Sequence, residues 1–289
     1  MRIKNIIAKN AFFILALSLV FTACQKVNHP ALATDYPKDA NPPGGALKFY
    51  VAFDGTTADP QMNGVDSIRA NFPGTNTSTS VDGVSGKAYK GSETAVAQFG
   101  SANDFNNATS FTISFWLKKT PQAKGKGTNF AFAYNSKDYS WTNLKMFLEF
   151  EDAGNPSTTD SAAAKFYLFD QWFEYTGVKR MKNVLNGEWH HLAFTYDEAT
   201  STLKTYIDGV PPTNLPDGFG AVKNGDNPRG KLNFNEGKSL TGFTIGGAGA
   251  VAYKANDWMG YFDGQLDQFR LYNTVLSPAD IASLYANKQ

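Results

Sequence analysis

The chain has 289 residues, with 27 Lys and Arg against 26 Asp and Glu, for a formal net charge of +1. That balance, with no long run of one sign, excludes the basic face on which nucleic-acid binding depends. The single cysteine, Cys24, excludes an internal disulfide, and neither a Gly-x-Gly-x-x-Gly fingerprint nor a Gly-x-Ser-x-Gly elbow occurs, which removes dinucleotide binding and the elbow type of serine nucleophile.

The first element is an export signal. Arg2, Lys4 and Lys9 precede an apolar run, Ala11 to Phe21, that is shorter than the ~20 residues a bilayer span needs. A basic head, a short apolar core and small residues before a cleavage point describe a secretory signal peptide over 1–23. Phe21-Thr22-Ala23-Cys24 resembles the bacterial lipobox, with Phe in place of the usual Leu. The resemblance implies acylation of Cys24, which accounts for the lone cysteine; two or more acyl chains anchor a protein stably. Residues 24–45, with Pro30, Pro37, Pro42, Pro43 and little apolar content, read as a flexible tether. One domain is expected over 46–289. Gln25-Lys26-Val27-Asn28 carries no acidic run, so the surface and periplasmic faces of an outer membrane both stay open as destinations.

Strands dominate the rest of the chain. Aromatic residues make up 14% of the sequence and are accompanied by 26 glycines, which fits strands joined by turns. Period-two alternation places Leu47, Phe49, Val51 and Phe53 on one face, and Phe111, Ile113, Phe115 and Leu117 on another, opposite Thr112, Ser114 and Trp116. Further strands are predicted over 128–134, 144–151, 164–170, 189–196, 202–208, 242–246 and 261–272. Asp208-Gly209 signals a tight hairpin. Residues 213–240, rich in Asn, Asp, Gly and Pro, read as a long surface excursion. The one predicted helix starts at Ser277-Pro278, with Asp280 in its first turn and Ile281, Leu284 and Tyr285 on one stripe. Many strands and one short helix indicate an all-β sandwich of two antiparallel sheets.

Four stretches in order carry a family resemblance: Phe111 to Lys118; Asn186-Gly187-Glu188-Trp189-His190-His191 through Asp197; Leu203 to Val210; and Tyr261 to Asn273 followed by Leu276-Ser277-Pro278. Together they resemble the LamG-like jelly roll of the concanavalin A-like lectin/glucanase superfamily, across 46–289. The resemblance implies two curved antiparallel sheets. It leaves function open, because such folds host lectins, carbohydrate-binding modules, glycoside hydrolases and adhesion domains. It also implies a structural calcium, for which Asp54 and Asp267 are the matching carboxylates. His190 and His191, adjacent on a strand, point to opposite faces and do not suit a shared zinc.

Sugar rings offer an apolar C–H face to aromatic side chains and hydroxyls to polar ones. Three loop-like stretches, 137–143, 170–175 and 253–258, have that mix, and from them Trp141, Trp172, Tyr175 and Trp258 are the expected ligand-binding residues, with Trp116 added because it lies opposite the apolar stripe of its strand. Trp189 is assigned to the core. Glu149 and Glu151 share a strand face roughly 6.5–7 Å apart by the strand rise. That spacing lies within reach of glycoside hydrolysis, but the Glu-x-Asp-x-x-Glu pattern of the glucanases is missing, so no catalytic residue is assigned. The expectation is a non-catalytic, carbohydrate-binding lipoprotein at the outer membrane, beside a glycan transporter or hydrolase. The alternatives are a glycoside hydrolase or lyase, and an adhesion or scaffold module.

Overall fold

The computed structural model describes residues 45–54, 65, 79–92, 96–100, 103–121, 128–136, 144–150, 156–235, 240–248 and 258–288, all in the unit Leu32–Gln289. The expected signal peptide, Cys24 and the tether up to 44 lie outside the described residues, as do Trp141 and Glu151. In chain order the strands are β1 (Leu47–Val51), β2 (Thr79–Asp82), β3 (Lys87–Lys90), β4 (Ala97–Phe99), β5 (Phe111–Lys118), β6 (Thr128–Ser136), β7 (Met146–Phe150), β8 (Ser161–Ala162) and β9 (Ala164–Leu168). Next come β10 (Gln171–Tyr175), β11 (Met181–Lys182), β12 (Trp189–Asp197), β13 (Thr202–Ile207), β14 (Lys223–Asn224), β15 (Asn227–Pro228), β16 (Leu240–Ile245), β17 (Met259–Tyr261) and β18 (Gln265–Tyr272). Helix α1 (Pro278–Asn287) comes after the last strand.

The strands form two seven-stranded sheets. The first runs β13-β12-β5-β18-β3-β2, with β1 also paired to β18; the second runs β10-β9-β7-β6-β16-β4, with β17 joined in parallel to β6. The two remaining pairs, β8–β11 and β14–β15, are short. Phe111, Ile113, Phe115 and Leu117 point into the space between the sheets, as their alternation requires. There Phe269 of β18 meets Phe115 at 5.3 Å, Phe132 of β6 at 5.4 Å and Phe243 of β16 at 5.3 Å, so rings from both sheets interlock. Each such ring buries ~150–250 Å², and truncating one to Ala costs ~3–5 kcal/mol.

Three sequence expectations need correction. Leu47 does not share the inward face of β1. The register slips between Leu47↔Tyr272 and Phe49↔Leu271, and this bulge sends Leu47 to an outer cluster with Tyr50, Ala52 and Tyr272. Residues 213–235 are not purely a surface excursion, since Val222, Leu232 and Phe234 enter the core, where Phe234 lies 5.2 Å from Phe105 and 5.1 Å from Phe169. Trp189 is only half-buried, at the start of β12.

The hairpin after β13 is turned by Asp208 and Gly209 at φ 52° and 79°, the left-handed pair that a type I′ turn demands. At α1, the Ser277 Oγ accepts from the Asp280 amide at 3.1 Å and the Asp280 carboxylate accepts from the Ser277 amide at 3.0 Å, a reciprocal cap. The helix packs on the outer face of the first sheet. Ile281 is buried against Ala193 and Tyr206, and Gln268 Nε2 of β18 donates to the Lys288 carbonyl at 2.9 Å.

Candidate ligand-binding site

The site is built on the outer face of the second sheet. Strands β9 and β10 are joined by two residues, Phe169 and Asp170, both left-handed at φ 46° and 67°. Asp tolerates that conformation, whereas for Phe it costs about 1–2 kcal/mol. Packing holds Phe169 there. Its buried ring lies against Phe234, with the Arg229 guanidinium 4.3 Å and the Lys145 ammonium 5.3 Å from its centre.

From this turn the period of two sends Phe173 and Tyr175 of β10 into the core and Trp172 and Glu174 outward. The register then sets two rows side by side. The first is aromatic: Trp172 is opposite Tyr167 of β9, which is opposite Phe147 of β7. Tyr167 and Phe147 stack at 4.8 Å, and Trp172 stands edge-on to both, at 5.0 and 5.4 Å. The second row is charged, with Glu149 of β7, Lys165 of β9 and Glu174 of β10 in register. Lys165 Nζ lies 3.6 Å from Glu174 Oε1 and 5.3 Å from the centre of the Trp172 indole. Glu149 is buried, whereas Glu174 is exposed.

On the other side Phe147 touches Phe130 at 5.0 Å, and Phe130 touches Trp258 at 5.8 Å. Trp172 and Trp258 therefore pack, half-buried, on one apolar cluster that is separate from the core between the sheets. The Tyr167 hydroxyl donates to Asp170 Oδ1 at 2.9 Å. Burial first, and then the Asp170 carboxylate, raise its pKa, so it stays protonated and remains a donor.

The five aromatic candidates thus have different fates. Trp172 and Trp258 meet at this patch, and Trp141 lies outside the described residues. Tyr175 is a correction: it is an inward residue of β10, 1% exposed, with its hydroxyl bonded to Thr205 inside the core. Trp116 is a second correction. It does point away from the core, but α1 covers it, Tyr285 stacks on it at 5.6 Å, and it is 2% exposed. The sequence alone assigns no role to Lys165 or Asp170, and it presents Glu174 as part of a loop. For Glu174 the signal is the alternation in Gln171-Trp172-Phe173-Glu174-Tyr175, which puts Trp172 and Glu174 on one strand face; nothing local signals Lys165 or Asp170.

Asp54 and Asp267 are brought together by the turn between β2 and β3. Asp267 is fully buried; its Oδ2 accepts from the amides of Val84 at 2.8 Å and Ser85 at 3.4 Å, while its Oδ1 has no hydrogen-bond partner. Asp54 accepts from the Lys87 amide. Burial, with the Asp54 charge adding to it against the lowering pull of the Val84, Ser85 and Gln268 amides, pushes Asp267 up to about 7. Gly83 and Gly86 leave the space, since a Cβ on either would overlap the Asp267 or Asp54 carboxylate. Two neighbouring carboxylates, one with an orphan oxygen, beside a turn of backbone are a donor set that suits a hard cation. Among the described residues no three acidic, His or Cys side chains converge, so backbone carbonyls would supply the rest.

The two histidines do part to opposite sides. His190 Nδ1 meets Asp208 Oδ2 at 2.8 Å, and His191 Nε2 meets Ser114 Oγ at 2.8 Å beneath α1. Burial, with Arg270 nearby, lowers His191 to about 4, so the ring is neutral.

Two antiparallel sheets packed face to face, joined by crossing connections and closed by a terminal helix, define the jelly-roll class of sandwich. The pattern of the Concanavalin A-like lectin/glucanases superfamily matches residues 90–282, and the chain belongs to that superfamily. No curated protein matches the sequence. Among solved structures, domain 4 of AbnA, a GH43 extracellular arabinanase from Geobacillus stearothermophilus in complex with arabinotriose, is similar at 19% identity and TM-score 0.51, over 83% of this chain and 98% of that one. A Trypanosoma rangeli sialidase is similar at 14% identity and TM-score 0.54, over 90% of this chain and 36% of that one. The binding domain of Paraclostridial Mosquitocidal Protein 1 is similar at 12% identity and TM-score 0.52, over 84% and 52%. The chain thus spans about a third of the sialidase, and these likenesses are ones of fold.

Proposed function

We propose that this protein is a non-catalytic carbohydrate-binding lipoprotein of the bacterial cell envelope, anchored at the outer membrane through Cys24. It captures poly- or oligosaccharide and holds it for a neighbouring glycan transporter or hydrolase. The reading is carried by one observation: Trp172 and Trp258 pack half-buried on a single aromatic cluster outside the core, with the Lys165–Glu174 ion pair alongside Trp172. Aromatic side chains are mostly buried in soluble folds, and a contiguous, partly exposed apolar patch rimmed by polar groups marks a ligand-binding surface. A sugar's C–H face covers indole, while its hydroxyls bond the flanking ammonium and carboxylate. The arabinotriose held by the similar arabinanase domain supports a ligand of this class.

Asp54 and Asp267 would hold a calcium ion, with backbone carbonyls of the turn between β2 and β3 completing its shell. The ion would neutralise two neighbouring carboxylates and fasten the end of β1 to β18. Saturating calcium is expected to raise the melting temperature above that in chelator, and Asp267→Asn to abolish the difference; equal melting in both conditions would remove calcium from the proposal.

Binding is tested by affinity electrophoresis of the protein through a panel of polysaccharides. Retardation by at least one is expected, reduced at least ~10-fold by Trp172→Ala, a loss of about 1.4 kcal/mol. No retardation on any polysaccharide would end the sugar reading. Release of reducing ends from the panel would replace binding with hydrolysis.

A further inference from the structure

We infer that the Trp172 patch selects neutral sugars over acidic ones, an inference that rests on the sugar-binding reading of that patch. Among the described residues, the positive charge beside Trp172 is already paired. Lys165 is the cation that faces Trp172, and it stands in register between two carboxylates, Glu149 on β7 and Glu174 on β10. Its ammonium lies 3.6 Å from the Glu174 carboxylate, whose side chain is 49% exposed. Among the described residues, two other basic groups at this end of the sheet, Arg229 and Lys145, lie over the Phe169 ring, and Arg229 Nη1 donates to the Phe169 carbonyl at 3.3 Å. The turn adds a further carboxylate, Asp170, beside Tyr167.

A uronate or sialate that brings its carboxylate to Lys165 must therefore bring it against Glu174, and like charges set side by side in an interface are strongly disfavoured. A neutral sugar meets no such penalty. One hydroxyl accepts from the Lys165 ammonium, its neighbour donates to the Glu174 carboxylate, and the ion pair serves as a donor and an acceptor spaced for adjacent hydroxyls. Because Lys165 already lies over part of the indole, the ring that stacks on Trp172 is held next to the pair, so the two contacts are made together.

The test uses the full-length protein, with linear arabinan as the neutral probe and polygalacturonate as the acidic one, in affinity gels. The parent is expected to bind arabinan at least about ten-fold more tightly than polygalacturonate, the ratio that ~1.4 kcal/mol of repulsion produces. Glu174→Gln keeps a hydrogen-bonding group and removes the charge. It is expected to close that gap by strengthening polygalacturonate, and the gain should vanish at about 1 M salt, where the screening length is ~3 Å. Lys165→Met should weaken arabinan without strengthening polygalacturonate. Circular dichroism melts of both variants confirm folding, since Glu174 and Lys165 lie outside the core. Equal affinities of the parent for the two probes, or an unchanged ratio in Glu174→Gln, would overturn the selectivity while leaving sugar binding intact. Failure of the parent to bind either these probes or the wider panel would overturn both.

Discussion

The two outer faces of the sandwich treat tryptophan in opposite ways. On the first sheet Trp116 sits in the outward row of β5, yet α1 lies over it and Tyr285 stacks on its ring. Beneath the helix lies a polar layer, with Ser114 bonded to His191 and the Arg270 guanidinium 4.3 Å from the centre of the Tyr50 ring. On the second sheet Trp172 sits in the outward row of β10, backed by Phe147 and Tyr167, and stays half-exposed beside an ion pair. Both residues obey the same alternation. The exposure of an outward ring is decided by what the chain later lays on top of it, and Trp116 receives its cover from Tyr285, far downstream in the chain.

The contrast can be broken most severely at Trp116. Trp116→Ala is expected to cost ~3–5 kcal/mol of stability in urea melts, the range for a sealed aromatic, while Trp172→Ala should cost less than ~2 kcal/mol; equal losses would erase the distinction between a covered and a half-exposed tryptophan. Next comes pH. The folded protein holds His191 near 4, below the 6.5 of the unfolded chain, so the unfolded state takes up a proton first. His191 therefore contributes stability above pH 6.5 that is lost as pH falls towards 4, on the order of 3 kcal/mol in all. Asp267, raised to about 7, works in the opposite direction in metal-free protein, because its protonation favours the folded state. The difference between parent and His191→Gln isolates the histidine: the variant's melts should lack that part of the acid loss, and parallel pH profiles would show that the covered face does not hold the ring neutral. A smaller effect is expected at the cover itself. Ser277→Ala removes the cap of α1 and should lower stability by ~1 kcal/mol, with faster amide exchange in α1 and unchanged sugar binding.

Much of the fold is legible in the sequence because β5 and β12 are long and alternate cleanly, because β18 is long although a bulge between Asp267 and Arg270 breaks its period, and because Ser277-Pro278 with Asp280 announces a helix start. The short strands β2, β3 and β4 are not, having three or four residues each, too few to show a period. Strand β10 escapes a sequence reading for a different reason. Its turn is Phe169-Asp170 rather than a glycine pair, so nothing local marks the hairpin, and packing against Phe234 and two cations holds the backbone there instead. The candidate site is half-readable. Trp172 and Trp258 are conspicuous as residues, but their meeting on one cluster depends on Phe130 and Phe147 from two further strands. Trp116 and Tyr175 mislead because burial by a distant helix, and the inward direction of a strand whose turn carries no local signal, are tertiary facts.

The pairing of β1 with β18 has a mechanical consequence. A pull on the chain ahead of Leu47 runs along β1, while its ladder bonds, from Leu47↔Tyr272 to Val51↔Phe269, lie across that direction. Such a load is shared by the bonds in shear instead of opening them one after another. Beyond the strand, Asp54 is latched to the Lys87 amide next to Asp267. A domain moored by its leading end would resist drag through this joint, and a cation seated there would act as the bolt.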